Sequence, residues 1–291
     1  MRPTQRQRYA AQIERLVRYL HALDWSDDAA ALDLEKLAAV ANLSPWHFHR
    51  VFRLMTGESV GEMVRRMRVA KGAALLSGSP GHVTQAAMAS GYATPQAFAR
   101  AVRRVTGLSP TDLPRSQELL ALLRARAARE DGTPPLSVEI TSVDPFTVQA
   151  MRNVGDYRQL DAAFGRLFEC VFAEQSMDAL QGIYGVPIDD PLSVPPTECR
   201  FECAVKLDVA AAFTFPVRSI ELGGGMYAVG HHLGDYDLVH PAIDELCAML
   251  LECRDTRLAD APLYVWYLDD PEAGPPHELR ADIYIPVEWE A

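Results

Sequence analysis

The sequence predicts a multi-domain chain. An all-α N-terminal domain with two helix-turn-helix units precedes an α+β domain of two pseudo-two-fold-related strand-helix-strand-strand repeats. Three observations predict this. A segment near residue 45 recurs at an offset of 50, and a longer one in the second half recurs at 79 to 80. The charge is also split. Residues 1–130 carry 19 Lys+Arg and 11 Asp+Glu, whereas residues 131–291 carry 9 and 28, giving net charges of +8 and −19. A basic half beside an acidic half points to a polyanion met by the first half alone.

The length of 291 residues suits about two domains. No stretch of 18 apolar residues exists, so no transmembrane helix is expected. The start, MRPTQRQRYAAQ, is basic but lacks the apolar run of a secretory signal. The five cysteines, Cys170, Cys199, Cys203, Cys247 and Cys253, are odd in number. Reduced thiols and a cytoplasmic location are therefore the expectation.

The first duplication pairs LSPWHFHRVFRLMTGES (43–59) with ATPQAFARAVRRVTGLS (93–109), with seven identities from Pro45/Pro95 to Ser59/Ser109. Each copy reads as a helix, with Ser44 or Thr94 as N-cap and proline at the first helical position. Gly57 or Gly107 suits the left-handed end. Phe48, Val51, Phe52 and Met55 form a core stripe, as do Phe98, Ala101, Val102 and Val105. The opposite stripes are Trp46, His49, Arg50 and Arg53, and Gln96, Ala99, Arg100 and Arg103. Core packing does not ask for these polar residues. A major groove does, because Arg and Gln can each make two hydrogen bonds to base edges. The shorter helices LEKLAAVA (34–41) and VTQAAMAS (83–90) and their tight turns complete the two units.

Between the units, Ser59 and Glu62 form a capping box for a linking helix. Val60, Met63, Val64 and Met67 make its apolar face. Arg65, Arg66, Arg68 and Lys71 make a basic one that meets phosphates or only water. A seam at 114–135, with a short helix ended by Asp131-Gly132 and Pro134-Pro135, separates domains at 1–113 and 136–291.

On LEKLAAVANLSPWHFHRVFRLMTGES, RRMRVAKGAALL and VTQAAMASGYATPQAFARAVRRVTGLSP, residues 9–113 resemble the AraC/XylS DNA-binding domain. The resemblance implies seven helices and two recognition helices in successive major grooves. Trp46, His49 and Arg50, with Gln96 and Arg100, would be the base readers. Arg53, Arg103 and Arg104 complete the candidate DNA-contacting set. One departure is Val102, where the family usually has Phe.

In the second half Gly155-Asp156-Tyr157 recurs as Gly234-Asp235-Tyr236, and Asp189-Asp190-Pro191 as Asp269-Asp270-Pro271. CRFECAVKL (199–207) aligns with LRADIYIPV (279–287). Strand parity puts Phe201, Cys203 and Val205 on a face toward helices, like Ala281, Ile283 and Ile285. Arg200, Glu202, Glu278, Arg280, Asp282 and Tyr284 then face away, on a polar and acidic side. Tyr157, Tyr184, Tyr236, Trp266 and Tyr267 are the aromatic residues available to it. Such a side suits a lipophilic or cationic ligand, or is a solvated surface; parity alone does not choose.

On the paired Gly-Asp-Tyr turns, IELGGGMYAVGHHLGDYD, YLDDP and ELRADIYIPV, residues 136–289 resemble the GyrI-like effector-binding domain of Rob-type regulators. The resemblance implies an amphipathic or cationic small molecule held between the repeats, near Glu202 and Asp282, with Glu278 in reserve. Together the two resemblances imply a non-enzymatic, ligand-responsive transcriptional regulator. Its partners would be double-stranded DNA and the small molecule, with RNA polymerase as a further candidate, and no membrane or cofactor. Stand-alone relatives similar to hydrolases make the alternative a hydrolase or sequestering protein for a toxic compound. No metal site is expected. His231, His232 and His240 are a poor chelating set, Cys199 and Cys203 alternate with apolar residues, and Gly223-Gly224-Gly225 reads as a turn.

Overall fold

The computed structural model describes residues 4–23, 33–78, 82–106, 109–110, 137–209, 213–253 and 256–289. The chain divides into two units. One comprises Tyr9–Pro45 and Phe52–Asp131, the other Met1–Arg8, Trp46–Val51 and Gly132–Ala291. The seam helix expected within 114–135 and the Gly107 cap lie outside the described residues.

Among the described residues, six helices come first: α1 (Gln5–Ala22), α2 (Leu34–Ala41), α3 (Pro45–Thr56), α4 (Val60–Gly78), α5 (Val83–Ala89) and α6 (Pro95–Thr106). Their ends are set by local chemistry. Asp33 caps α2 by accepting from the Glu35 amide at 3.2 Å, and Asn42 closes it at φ 52°. The Ser59–Glu62 capping box forms at the start of α4. The Glu62 amide donates to Ser59 Oγ at 3.2 Å, and the Ser59 amide donates to Glu62 Oε2 at 2.8 Å. Thr94 caps α6 by accepting from the Ala97 amide at 3.1 Å. Gly57 follows α3 at φ 77°, as a left-handed cap requires.

The stripe Phe48, Val51, Phe52 and Met55 is buried along α3. Helices α4, α5 and α6 share a core in which Val69, Ala73 and Leu76 meet Ala86, Ala87, Phe98, Ala101 and Val102. Gly72 permits their close approach, because a Cβ there would lie 2.5 Å from Phe98 Cε2 and 2.8 Å from Ser90 Oγ. Alanine would gain about 1 kcal/mol in helix propensity. Overpacking against the fully buried Phe98 ring outweighs this. We expect Gly72→Ala to lose about 1–2 kcal/mol net, measured by chemical denaturation.

The described residues of the second half form a nine-stranded sheet with two α-helices. The strands are β1 (Ser137–Val143), β2 (Phe146–Val154), β3 (Leu180–Pro187), β4 (Arg200–Leu207), β5 (Val217–Leu222), β6 (Gly225–Leu233), β7 (Thr256–Leu258), β8 (Tyr264–Tyr267) and β9 (Arg280–Trp289). Helix α7 (Leu160–Phe172) follows β2, and α8 (Val239–Glu252) follows β6. The strand order is β1-β6-β9-β8-β3-β4-β2-β5, with β7 paired to β9. The run β2-α7-β3-β4 thus recurs as β6-α8-β8-β9, with β3 and β8 adjacent at the middle.

The same braces recur in both runs. Tyr157 Oη donates to the Asp189 and Arg200 carbonyl oxygens, and Tyr236 Oη to those of Asp269 and Arg280. Asp189 accepts from the Arg200 amide and guanidinium, and Asp269 does so from Arg280.

One sheet face carries the helices. Met151, Phe201, Cys203, Val205 and Val217 pack on Ala163, Leu167 and Val171 of α7. Gly230 on β6 lets α8 approach, since a Cβ there would meet Leu246 Cδ2 at 2.9 Å. The sheet curls round its other face. Strands β1 and β2 sit near opposite ends of the order, yet only Asp144 and Pro145 join them. A link of that length spans roughly 10 Å at most, so the two ends must come together. Gly223, between β5 and β6, fits this corner at φ 77°, where a Cβ would sit 2.4 Å from the Asp144 carbonyl oxygen.

Cys199, Cys203 and Cys247 are buried, and Cys170 and Cys253 are partly exposed. Burial pushes the thiols of Cys199 and Cys247 up to about 11 and that of Cys203 up to about 12. Thiolate is the reactive form. Titration of native protein with a thiol-specific chromogenic disulfide should therefore label Cys170 and Cys253 quickly, and the other three only after denaturant is added.

Candidate functional site

Two arrangements stand out: the outer stripe of α6 and the enclosed face of the sheet. On α6, Gln96, Arg100, Arg103 and Arg104 are all exposed, while Phe98, Ala101 and Val102 are buried. A short α5 and the Gly91 turn at φ 79° precede the helix. Donors that need no core partner thus line one side of a rigid helix, as base-edge readout requires.

The corresponding stripe of α3 is placed differently. Trp46 is exposed, and His49 and Arg53 are half-buried. Arg50 is only 5% exposed, and its Nε lies 3.0 Å from Asp244 Oδ1. His47, one residue outside the stripe, bonds through Nε2 to the Ala259 carbonyl oxygen at 3.0 Å. Burial lowers its pKa to about 4, so the ring is neutral at pH 7. The expectation that all four stripe residues point to solvent is therefore corrected for Arg50. A helical period says which residues share a side, not which distant carboxylate lies against it.

On the enclosed face, cross-strand pairing lines up a continuous row. Arg218 lies opposite Ala150, Ala150 opposite Ala204, and Ala204 opposite Tyr184. Tyr184 lies opposite Trp266, Trp266 opposite Asp282, and Asp282 opposite His231. Opposed residues share a face. Tyr184 and Trp266 stack at 5.9 Å, and Tyr264 and Tyr284 stack at 4.6 Å. Burial raises the phenols of Tyr184 and Tyr284 to about 12, so both are neutral donors at pH 7. His231 Nδ1 lies 2.7 Å from Asp282 Oδ1.

Three expectations about this face need correction. It is not chiefly polar: Val148, Ala150, Tyr184, Val186, Ala204 and Tyr264 are buried there, because the curled sheet closes over them. Tyr157, Tyr236 and Tyr267 belong to the helix-bearing side. Tyr267 pairs with Ile183 and Ala281 and packs on Phe164, while Tyr157 and Tyr236 brace carbonyl groups. Glu278 is exposed in the 3-10 turn before β9, not on the sheet. Trp266, Tyr284, Glu202 and Asp282 do share the enclosed face.

Reasoning from sequence missed Arg152 and Arg218. Both reach Glu202 Oε1, Arg218 through Nη2 at 2.6 Å. Among the described residues, no group of three His, Cys, Asp or Glu side chains could hold a metal ion, and no helix is long and apolar enough to cross a membrane.

The model of the GyrI-like small molecule binding domain matches residues 136–288, more than half of the chain. This chain belongs to the GyrI-like family. A helix-turn-helix domain model also matches residues 37–116, from within α2 of the first unit through the second. The chain is 28% identical over 105 residues to the probable transcriptional regulator YgiV of Escherichia coli, covering 36% of this chain and 66% of YgiV. It thus spans just under two thirds of that relative. It is 29% identical over 92 residues to the regulatory protein SoxS of Salmonella typhimurium, covering 31% of this chain and 86% of SoxS. Among solved structures, the EcmrR C-terminal domain matches 53% of this chain and 98% of its own length, with 14% identity and a TM-score of 0.47. The enclosed face described above thus belongs to the GyrI-like domain, and the α6 stripe to an AraC-type helix-turn-helix region.

Proposed function

We propose that this GyrI-like protein is a sequence-specific DNA-binding transcriptional regulator whose C-terminal domain senses an amphipathic small molecule. The observation that carries the reading is the stripe Gln96, Arg100, Arg103 and Arg104, exposed on α6 of a helix-turn-helix. It lies in one chain with a domain whose family binds small molecules. Base readout would come from Gln96 and Arg100. Arg103 and Arg104, nearer the helix end, would meet phosphates. The outer residues of α3 (Trp46, His49, Arg50 and Arg53) are the second proposed reading surface, with Arg50 released from Asp244 when DNA binds. Trp266, Tyr284, Glu202 and Asp282 are proposed to meet the small molecule.

Selection of bound duplexes from a random pool tests this. The expected result is a recovered sequence motif whose occupancy changes when an amphipathic compound is added. Recovery of no motif would overturn the regulator reading. A hydrolase is the rival, and it predicts product when candidate compounds are incubated with the protein.

A further inference from the structure

The enclosed face of the GyrI-like domain is electrically lopsided. Toward β5 and β4 it carries Arg152, Arg218 and Lys206 against one carboxylate, Glu202. Toward β1 and β6 it carries Glu139 and Asp282 with His231, and among the described residues its arginines are Arg280, offset by Asp269, and Arg257, offset by Glu288. Arg200 at the first end is likewise offset by Asp189.

The arrangement around Glu202 is specific. Its side chain is 2% exposed and gives a single oxygen, Oε1, to both guanidinium groups. Its other oxygen, Oε2, is buried with no hydrogen-bond partner among the described residues. The arginine side chains are 41% and 51% exposed, so each keeps N–H groups free to turn outward. Lys206 Nζ sits 5.0 Å above the Phe146 ring on the same side. Three cations set against one carboxylate leave this end net positive, which disfavours a cationic ligand. A permanent cation lacking N–H could not satisfy Oε2 either. What fits is a group that accepts from the guanidinium pair and donates to Oε2.

Resting on the small-molecule reading above, we propose that the sensed ligand class is aromatic hydroxy-acids. The carboxylate faces Arg152 and Arg218, a neighbouring hydroxyl donates to Glu202 Oε2, and the ring system lies against Trp266 and Tyr184. The excess charge at this end selects anions, and the stacked rings supply the apolar contact.

Titration of the full chain with fluorescent 3-hydroxy-2-naphthoate, beside tetraphenylphosphonium, tests the assignment. The hydroxynaphthoate is expected to bind at least tenfold more tightly than the phosphonium. Arg218→Met should weaken it about tenfold and leave the phosphonium unchanged or tighter. Glu202→Gln, which takes away the acceptor of the ligand hydroxyl, should weaken hydroxynaphthoate relative to 2-naphthoate, which lacks that hydroxyl. Arg218 is half-exposed on a sheet edge, so its variant keeps the test valid if Glu202→Gln fails to fold. Phosphonium binding without hydroxynaphthoate binding overturns the anion assignment and leaves the sensing reading intact. If Arg218→Met leaves hydroxynaphthoate affinity unchanged, the assignment of its carboxylate to this end fails. If neither compound binds the folded chain at millimolar concentration, the face is not a sensor for either class, and both readings fail.

Discussion

Phe98→Ala is expected to destabilise the α4–α6 core by about 3–5 kcal/mol, the usual cost of truncating a fully buried phenylalanine. Phe98 is 0% exposed and stands between Tyr92, at 5.4 Å between ring centres, and Gly72, whose missing Cβ leaves room for the ring. Removing the ring leaves a cavity beside Gly72, which has no side chain to fill it. With typical domain stabilities of about 5–15 kcal/mol, such a loss would leave the second helix-turn-helix marginal. Equilibrium denaturation followed by far-ultraviolet circular dichroism checks this. Phe98→Leu should lose much less. A midpoint unchanged in Phe98→Ala would mean that the ring is not in the core.

The second large effect concerns recognition. Arg100→Ala should weaken binding to a selected site by about 1–3 kcal/mol and relax preference at one base position. Arg100 is exposed on α6, so its loss should leave the fold intact. Arg103→Ala should instead weaken all sequences evenly and flatten the salt dependence by about one counterion. Anisotropy titrations on selected and scrambled duplexes at several salt concentrations separate the two. If Arg100→Ala lowers every sequence equally, its role is contact with phosphate.

The helices were legible because their rules are local. Caps, prolines and glycines lie within four residues of the ends they set, and α2, α3, α4 and α6 begin and end within a residue or two of where those signals put them. The alternation that places Cys203 and Val205 toward α7 is equally local. What escaped depends on register between distant strands. Arg152 reaches Glu202 because β2 pairs with β4, and Arg218 does so because β5 pairs with β2. Parity gives a face but not a neighbour, so Glu202 read as a free acid. Arg50 escaped for the same reason, since Asp244 lies far along the chain. One missed feature did leave a signal. Tyr157, Asp189 and Arg200 recur together as Tyr236, Asp269 and Arg280 at nearly one spacing. Shared recurrence of three separated residues fits their being in mutual contact, as the braces show.

The strand order also bears on how the domain is made. β9 follows the other eight described strands in the chain, yet it lies between β6 and β8 in the interior of the sheet. β1, made first, must wait for β6, since Ser137 is paired with His231. The half β3-β4-β2-β5 can pair as soon as residues 146–222 are made, but the other half cannot close before β9, and long-range pairing of this kind folds slowly. A nascent chain halted before Arg280 would leave two strand edges exposed, open to chaperones and proteases.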